Sequence, residues 1–148
     1  MNGSDSSLSL IVKTVARIVA RIMLVFGFYI VLHGQITHGG GFAGGVIMAL
    51  VFVLIMLAYG RDTAVKLLSR SVTIFLAGLG TILLLAIALW GLKEGNFFSN
   101  FLGTGKPFEI LSGGIIPLCN AAICLVVLGC LYGLFSALAT FRPEGEKK

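Results

Sequence analysis

The feature that most constrains this chain is a set of four long stretches without a charged or histidine side chain. Residues 22–32, 42–59, 72–92 and 115–141 hold no Asp, Glu, Lys, Arg or His. A helix that crosses the hydrocarbon core of a bilayer needs about 20 consecutive, mostly apolar residues. With its flanking turns, each stretch reaches or approaches that length. A soluble domain carries about 25% charged residues. This chain carries 11%, with 57% apolar residues and a mean hydropathy of +1.04. Such a composition leaves too little polar surface to face water on all sides. The expected fold is an all-α membrane protein with four transmembrane helices at about 8–32, 42–59, 72–92 and 115–141. They form one multi-pass domain over residues 1–148, in the cytoplasmic membrane.

The charges that remain sit at the ends of these stretches. Lys13, Arg17 and Arg21 precede the first clean apolar run; Arg61, Lys66 and Arg70 lie in the second loop; Arg142, Lys147 and Lys148 lie in the tail. The first loop has no Lys or Arg, and in the third Lys93 and Lys106 are set against Glu94 and Glu109. Lys and Arg bias loops toward the cytoplasm. Both termini and the second loop are therefore expected there, a parity that four spans satisfy. The net charge of +5 reflects these orientation signals rather than a nucleic-acid face. The polar start, the basic residues and the lack of a small-residue cleavage site argue against a cleavable signal peptide.

Lys13, Arg17 and Arg21 recur every fourth residue, which puts them on one helix face. Their expected role is an interfacial entry with side chains reaching to headgroups; docking of an acidic partner or anionic lipid is the alternative. Small residues recur in two spans, Gly78, Gly80 and Thr81 in the third and Gly129, Gly133 and Ala137 in the fourth. They predict faces where helices approach closely. Cys119, Cys124 and Cys130 fall in one apolar run without CxxC spacing or a nearby histidine. They read as packing residues, not as a metal site or disulfide framework.

The most unusual segment joins the first two spans: His33-Gly34-Gln35-Ile36-Thr37-His38-Gly39-Gly40-Gly41-Phe42-Ala43-Gly44-Gly45. It holds both histidines of the chain and five of its 20 glycines within seven positions. It is no phosphate-binding loop, because it lacks the Lys-Ser/Thr pair and a preceding strand. One reading is a tight turn in which Gly39, Gly40, Gly41, Gly44 and Gly45 allow close packing. The other makes His33, Gln35, Thr37 and His38 a polar lining at the membrane edge, with histidines suited to a proton relay or pH sensor. Asn120, just inside the fourth span behind Pro117, is the remaining candidate. A buried Asn in lipid must find a partner, so helix–helix glue is weighed against ion coordination.

No Ser/His/Asp, Cys/His or paired-carboxylate arrangement exists, so catalysis by this chain alone is not expected, and no cofactor or metal is called for. A complete ion pump is not expected either, since a relay at membrane depth needs ionisable groups.

Residues 34–45 resemble the Pro-Gly-Gly-Gly-Phe-x-Gly-Gly signature of the MnhB/MrpB-like family. These are small B-type subunits of multi-subunit Na+/H+ antiporters of the Mrp kind and of related membrane-bound hydrogenase complexes. The short basic start and the four spans resemble the family as well. Ser112 to Asn120 looks more like the hydrogenase-associated branch. His38 stands where the signature has proline, which puts a rigid turn there in doubt. The resemblance implies an accessory subunit that assists ion translocation. It implies as partners other small membrane subunits, larger antiporter-like subunits that carry the charged path, and a hydrogenase or iron–sulfur arm.

Overall fold

The computed structural model describes residues 3–34, 36, 38–102 and 113–139, with side chains from Leu10 onward except at 61, 62 and 94. All regular structure in the described residues is helical: α1 (Gly3–His33), α2 (Gly40–Tyr59), α3 (Arg61–Leu67), α4 (Arg70–Gly91), a single 3-10 turn (Leu92–Glu94) and α5 (Ile116–Leu138). Four of these helices are long and apolar enough to cross a membrane: α1 from Leu10 onward, α2, α4 and α5. The chain is a multi-pass membrane protein.

Helix α1 starts earlier than expected because no Gly or Pro interrupts residues 4–26. Helix α2 ends where Gly60 takes a left-handed φ of 86° and donates its N–H to the Met56 carbonyl at 3.0 Å. Glycine adopts that conformation without the Cβ clash that other residues meet. Helix α4 is capped by Ser69, just before its first residue; the Ser69 hydroxyl accepts the Val72 N–H at 3.3 Å. This side-chain cap satisfies a donor that the helix itself cannot. Pro117 sits in the first turn of α5, where its missing N–H costs no helical bond.

Helices α2 and α5 form the centre and run parallel, with Gly41 and Gly45 of α2 against Asn120 and Cys124 of α5. Helix α1 packs antiparallel on α2, and α4 packs antiparallel on α5. The order across the bundle is therefore α1, α2, α5, α4. The burial pattern follows: 44% of the most apolar window of α2 is buried, against 17% for α4. The core holds Met48, Ala49, Cys124, Leu128 and Tyr132, with the Phe52 ring edge-on to Tyr132 at 5.7 Å. The outward faces of α1 and α4 carry exposed apolar side chains such as Val25, Phe28, Phe75 and Ile82, as a lipid-facing or partner-facing surface requires.

Three local features refine these expectations. The second loop contains a short helix: residues 61–67 form α3, which buries Ala64 completely and leads into buried Leu68. These two apolar residues, four apart, were the missed signal. Gly78 does not serve helix approach among the described residues, where nothing lies within 4 Å of its Cβ position. Gly80 and Gly129, expected for the same role, do carry the α4–α5 contact, facing the backbone of Ala122 and Thr73. Arg17, exposed on α1, also bonds within the bundle: its Nε donates to the Tyr59 hydroxyl at 3.1 Å. That hydroxyl donates to the Lys13 carbonyl at 2.8 Å, tying the start of α1 to the end of α2. The tail cations Arg142, Lys147 and Lys148, and Lys106 and Glu109 of the third loop, lie outside the described residues.

Candidate functional site: a glycine elbow closed by Asn120

The chain turns from α1 into α2 within six residues, through Gly34 and the glycines at 39 and 40. Gly39 has φ 140° and Gly40 φ 61°, backbone that L side chains rarely adopt. The turn is made against α5. A Cβ at Gly34 would lie 2.7 Å from Asn120 Nδ2, one at Gly40 would lie 2.9 Å from Asn120 Oδ1, and one at Gly41 would overlap the Asn120 carbonyl. Three glycines thus form a cradle that Asn120 fills, its side-chain amide against Gly34 and Gly40 and its backbone carbonyl against Gly41.

The amide also does chemical work there. Gly41 is near the start of α2, where backbone N–H groups have no partner within the helix. The preceding residue Gly39 supplies no side-chain cap. Asn120 Oδ1 accepts the Gly41 N–H at 3.2 Å. A side chain on α5 therefore caps α2, a bond that joins residues 79 positions apart. The other half of the amide is different: Nδ2 is buried and has no hydrogen-bond partner among the described residues. Exchanging the amide's O and N would face one donor with another, so this assignment is the one the network supports. A buried donor of this kind calls for a nearby acceptor such as water or another oxygen.

Beyond the cradle, Gly44 faces Val31 and the Gly27 carbonyl on α1, while Gly45 faces the Cys124 carbonyl and Val127 on α5. The glycine run thus wedges α2 between both neighbours. His33 is half-buried at the end of α1, stacked on the Tyr29 ring at 4.2 Å, with Nδ1 3.1 Å from the Tyr29 carbonyl. His38 is exposed at the bend. Gln35 and Thr37 lie outside the described residues. Of the polar residues singled out from the sequence, the structure therefore brings Asn120 to the elbow glycines and leaves His38 at its rim. Gly34 completes the cradle. Its signal was a glycine directly after the first span, within the same glycine-rich stretch.

No group of three or more His, Cys, Asp or Glu side chains that could hold a metal occurs among the described residues. What the arrangement offers is a tight, backbone-lined elbow with one buried polar amide, at the end of the bundle away from the α1 cations Lys13, Arg17 and Arg21. Fold and site define a class: a small helical membrane protein with a glycine-built crossing, its large outer faces left to lipid or to other chains.

Within that class the family is specific. The profile of the domain related to the MnhB subunit of the Na+/H+ antiporter matches residues 11–133, and the chain belongs to this family. It is 42% identical over 93 residues to the B-type subunit of the Na(+)/H(+) antiporter of Bacillus subtilis, covering 63% of this chain and 62% of that protein. It is 33% identical over 129 residues to an uncharacterised protein of Methanocaldococcus jannaschii, covering 80% of this chain and 47% of that protein. A Staphylococcus aureus protein provisionally named antiporter subunit mnhB2 is 29% identical over 136 residues, covering 88% of this chain and 89% of its own. The chain spans about half of the archaeal relative and under two thirds of the Bacillus one.

Proposed function

We propose that this chain is an accessory subunit of a Mrp-type cation/proton antiporter module in the cytoplasmic membrane. Its elbow contributes polar lining to a Na+ or H+ route at a subunit interface. Its partners are other small membrane subunits and larger antiporter-like subunits that carry the ionisable groups. The family and the named antiporter relatives support the module. Residues 22–32, 42–59, 72–92 and 115–141 hold no Asp, Glu, Lys, Arg or His, which supports an accessory role, since a relay across the membrane needs ionisable side chains along its depth.

The single observation that carries the route is the buried Asn120 Nδ2 without a partner among the described residues, set in a backbone-lined elbow with His38 exposed at its rim. That donor gives a water or a neighbouring oxygen a fixed place. The resemblance of residues 112–120 to the hydrogenase-associated branch extends the reading to a redox-driven complex with an iron–sulfur arm.

The competing reading is a pure scaffold, favoured by how completely Asn120 fills the glycine cradle. The test is the double variant His33→Ala/His38→Ala, beside Asn120→Asp, in the assembled complex in inverted membrane vesicles. The route reading expects reduced cation-coupled proton flux with every subunit still present. Wild-type flux in both variants, with assembly intact, leaves the scaffold. Affinity purification of the tagged chain from native membranes tests the redox arm: co-purifying iron–sulfur subunits support it, and a complex of antiporter subunits alone rejects it.

A further inference from the structure

At the end of the bundle opposite the elbow, a cavity of about 380 Å³ opens between α1, α2 and α3. Its polar part is formed by Arg17, Arg21, Tyr59 and Thr63, and its apolar part continues along Leu24 and Ile55. No acidic residue lines it among the described residues. The Arg17 guanidinium lies over the Tyr59 ring, 5.7 Å from its centroid, and only its Nε makes a described hydrogen bond, to the Tyr59 hydroxyl. Arg21 has no hydrogen-bond or ion-pair partner among the described residues.

Depth makes this arrangement costly unless an anion is supplied. Helix α2 has 20 residues, so at 1.5 Å per residue it is about as long as the hydrocarbon core is thick. Tyr59 closes that helix and therefore marks one boundary. The bond to Tyr59 places Arg17 at the same level. Arg21 follows one turn on, about 6 Å further toward the elbow end and so inside the boundary. A guanidinium held there, facing an apolar cavity, needs a counter-charge. The leaflet supplies one at this height in its phosphates, and basic pockets between spanning helices suit anionic headgroups.

We propose that this cavity is a binding site for an anionic phospholipid. Its phosphodiester lies between Arg17 and Arg21, and an acyl chain runs along Leu24 and Ile55. Guanidinium forks match phosphate oxygens in pairs, which fits two arginines one turn apart. The cavity's size and its apolar continuation favour a lipid over a carboxylate from a neighbouring chain. A single acidic side chain would meet the charge and leave the apolar part empty. The proposal is independent of the role assigned to the elbow.

The test is native mass spectrometry of the purified full chain, offered phosphatidylglycerol or phosphatidylcholine with the same acyl chains. Phosphatidylglycerol should be retained over phosphatidylcholine. Arg21→Gln should lower that retention about five-fold, the effect of one basic side chain near a lipid surface. Arg21→Lys keeps the charge and loses the fork, so its retention should fall between those of Arg21 and Arg21→Gln, and Lys93→Gln, at the other end, should change nothing. Ile55→Trp keeps both charges while filling the apolar part, and should also displace the lipid. Equal retention of the two lipids, or no response to Arg21→Gln and Ile55→Trp, overturns the proposal. So does equal occupancy by glycerol 3-phosphate, which would make the site one for free phosphate. A photo-crosslinker at Leu24 in native membranes covers the case of a variant that does not fold. A phospholipid adduct supports the site; a crosslink to a protein overturns it in favour of a partner's carboxylate.

Discussion

The amide oxygen of Asn120 and the backbone N–H of Gly41 meet at 3.2 Å, so the fifth helix caps the second. The usual cap comes from the residue just before the helix. Here that residue is Gly39, with no side chain to offer. The glycines that let α5 come this close are therefore also why α2 needs a cap from another helix.

Removing the cap should cost what a lost N-cap costs. Asn120→Ala is expected to destabilise the purified chain by about 1 kcal/mol. Asn120→Asp keeps an acceptor and sets a negative charge at the positive end of α2, so it should retain most of the stability. Thermal unfolding in one detergent compares them. Equal losses for the two variants would show that the acceptor is not what matters.

Two glycine-to-alanine changes should have opposite outcomes. A methyl at Gly41 overlaps the Asn120 carbonyl, and overpacking of this kind costs about 1–3 kcal/mol. Gly78 faces open space within a helix, and alanine there should be neutral or stabilising by up to about 1 kcal/mol. Size-exclusion profiles and unfolding midpoints of Gly41→Ala and Gly78→Ala test the contrast. Similar behaviour of both would refute the packing account.

The Tyr59 hydroxyl links Arg17 to the Lys13 carbonyl. Tyr59→Phe keeps the ring and removes both bonds, a net loss of about 1 kcal/mol. The unfolding midpoint should fall by roughly 2–4 °C, in line with a chain of this size. No shift would mean that water or headgroups replace the bridge without cost.

The start of α1 and the end of α5 lie at the same end of the bundle. The basic bias of the sequence predicts that this end is cytoplasmic. A fluorescent protein fused at the C-terminus should therefore fluoresce, and an exported phosphatase fused there should be inactive. The reverse pattern would invert the topology and move the elbow to the inner face.

The four spans were legible in the sequence to within a few residues at most ends. In lipid every backbone polar group must be satisfied within the segment, so long uncharged runs have little choice but to be helices. Helix α3 was hidden because its charged residues read as a polar loop, while its burial depends on Ala64 and Leu68 meeting the core. The glycine-rich elbow was visible as an anomaly, and its residue types announced a close approach without saying to what. Only the tertiary structure decided that the approaching group is Asn120, that Gly80 packs while Gly78 does not, and that Arg17 and Arg21 share a cavity. Sequence alone determined which segments enter the membrane, because transfer into lipid is a property of each segment by itself. Which faces meet is a property of pairs, set where small residues and one amide on separate helices happen to fit.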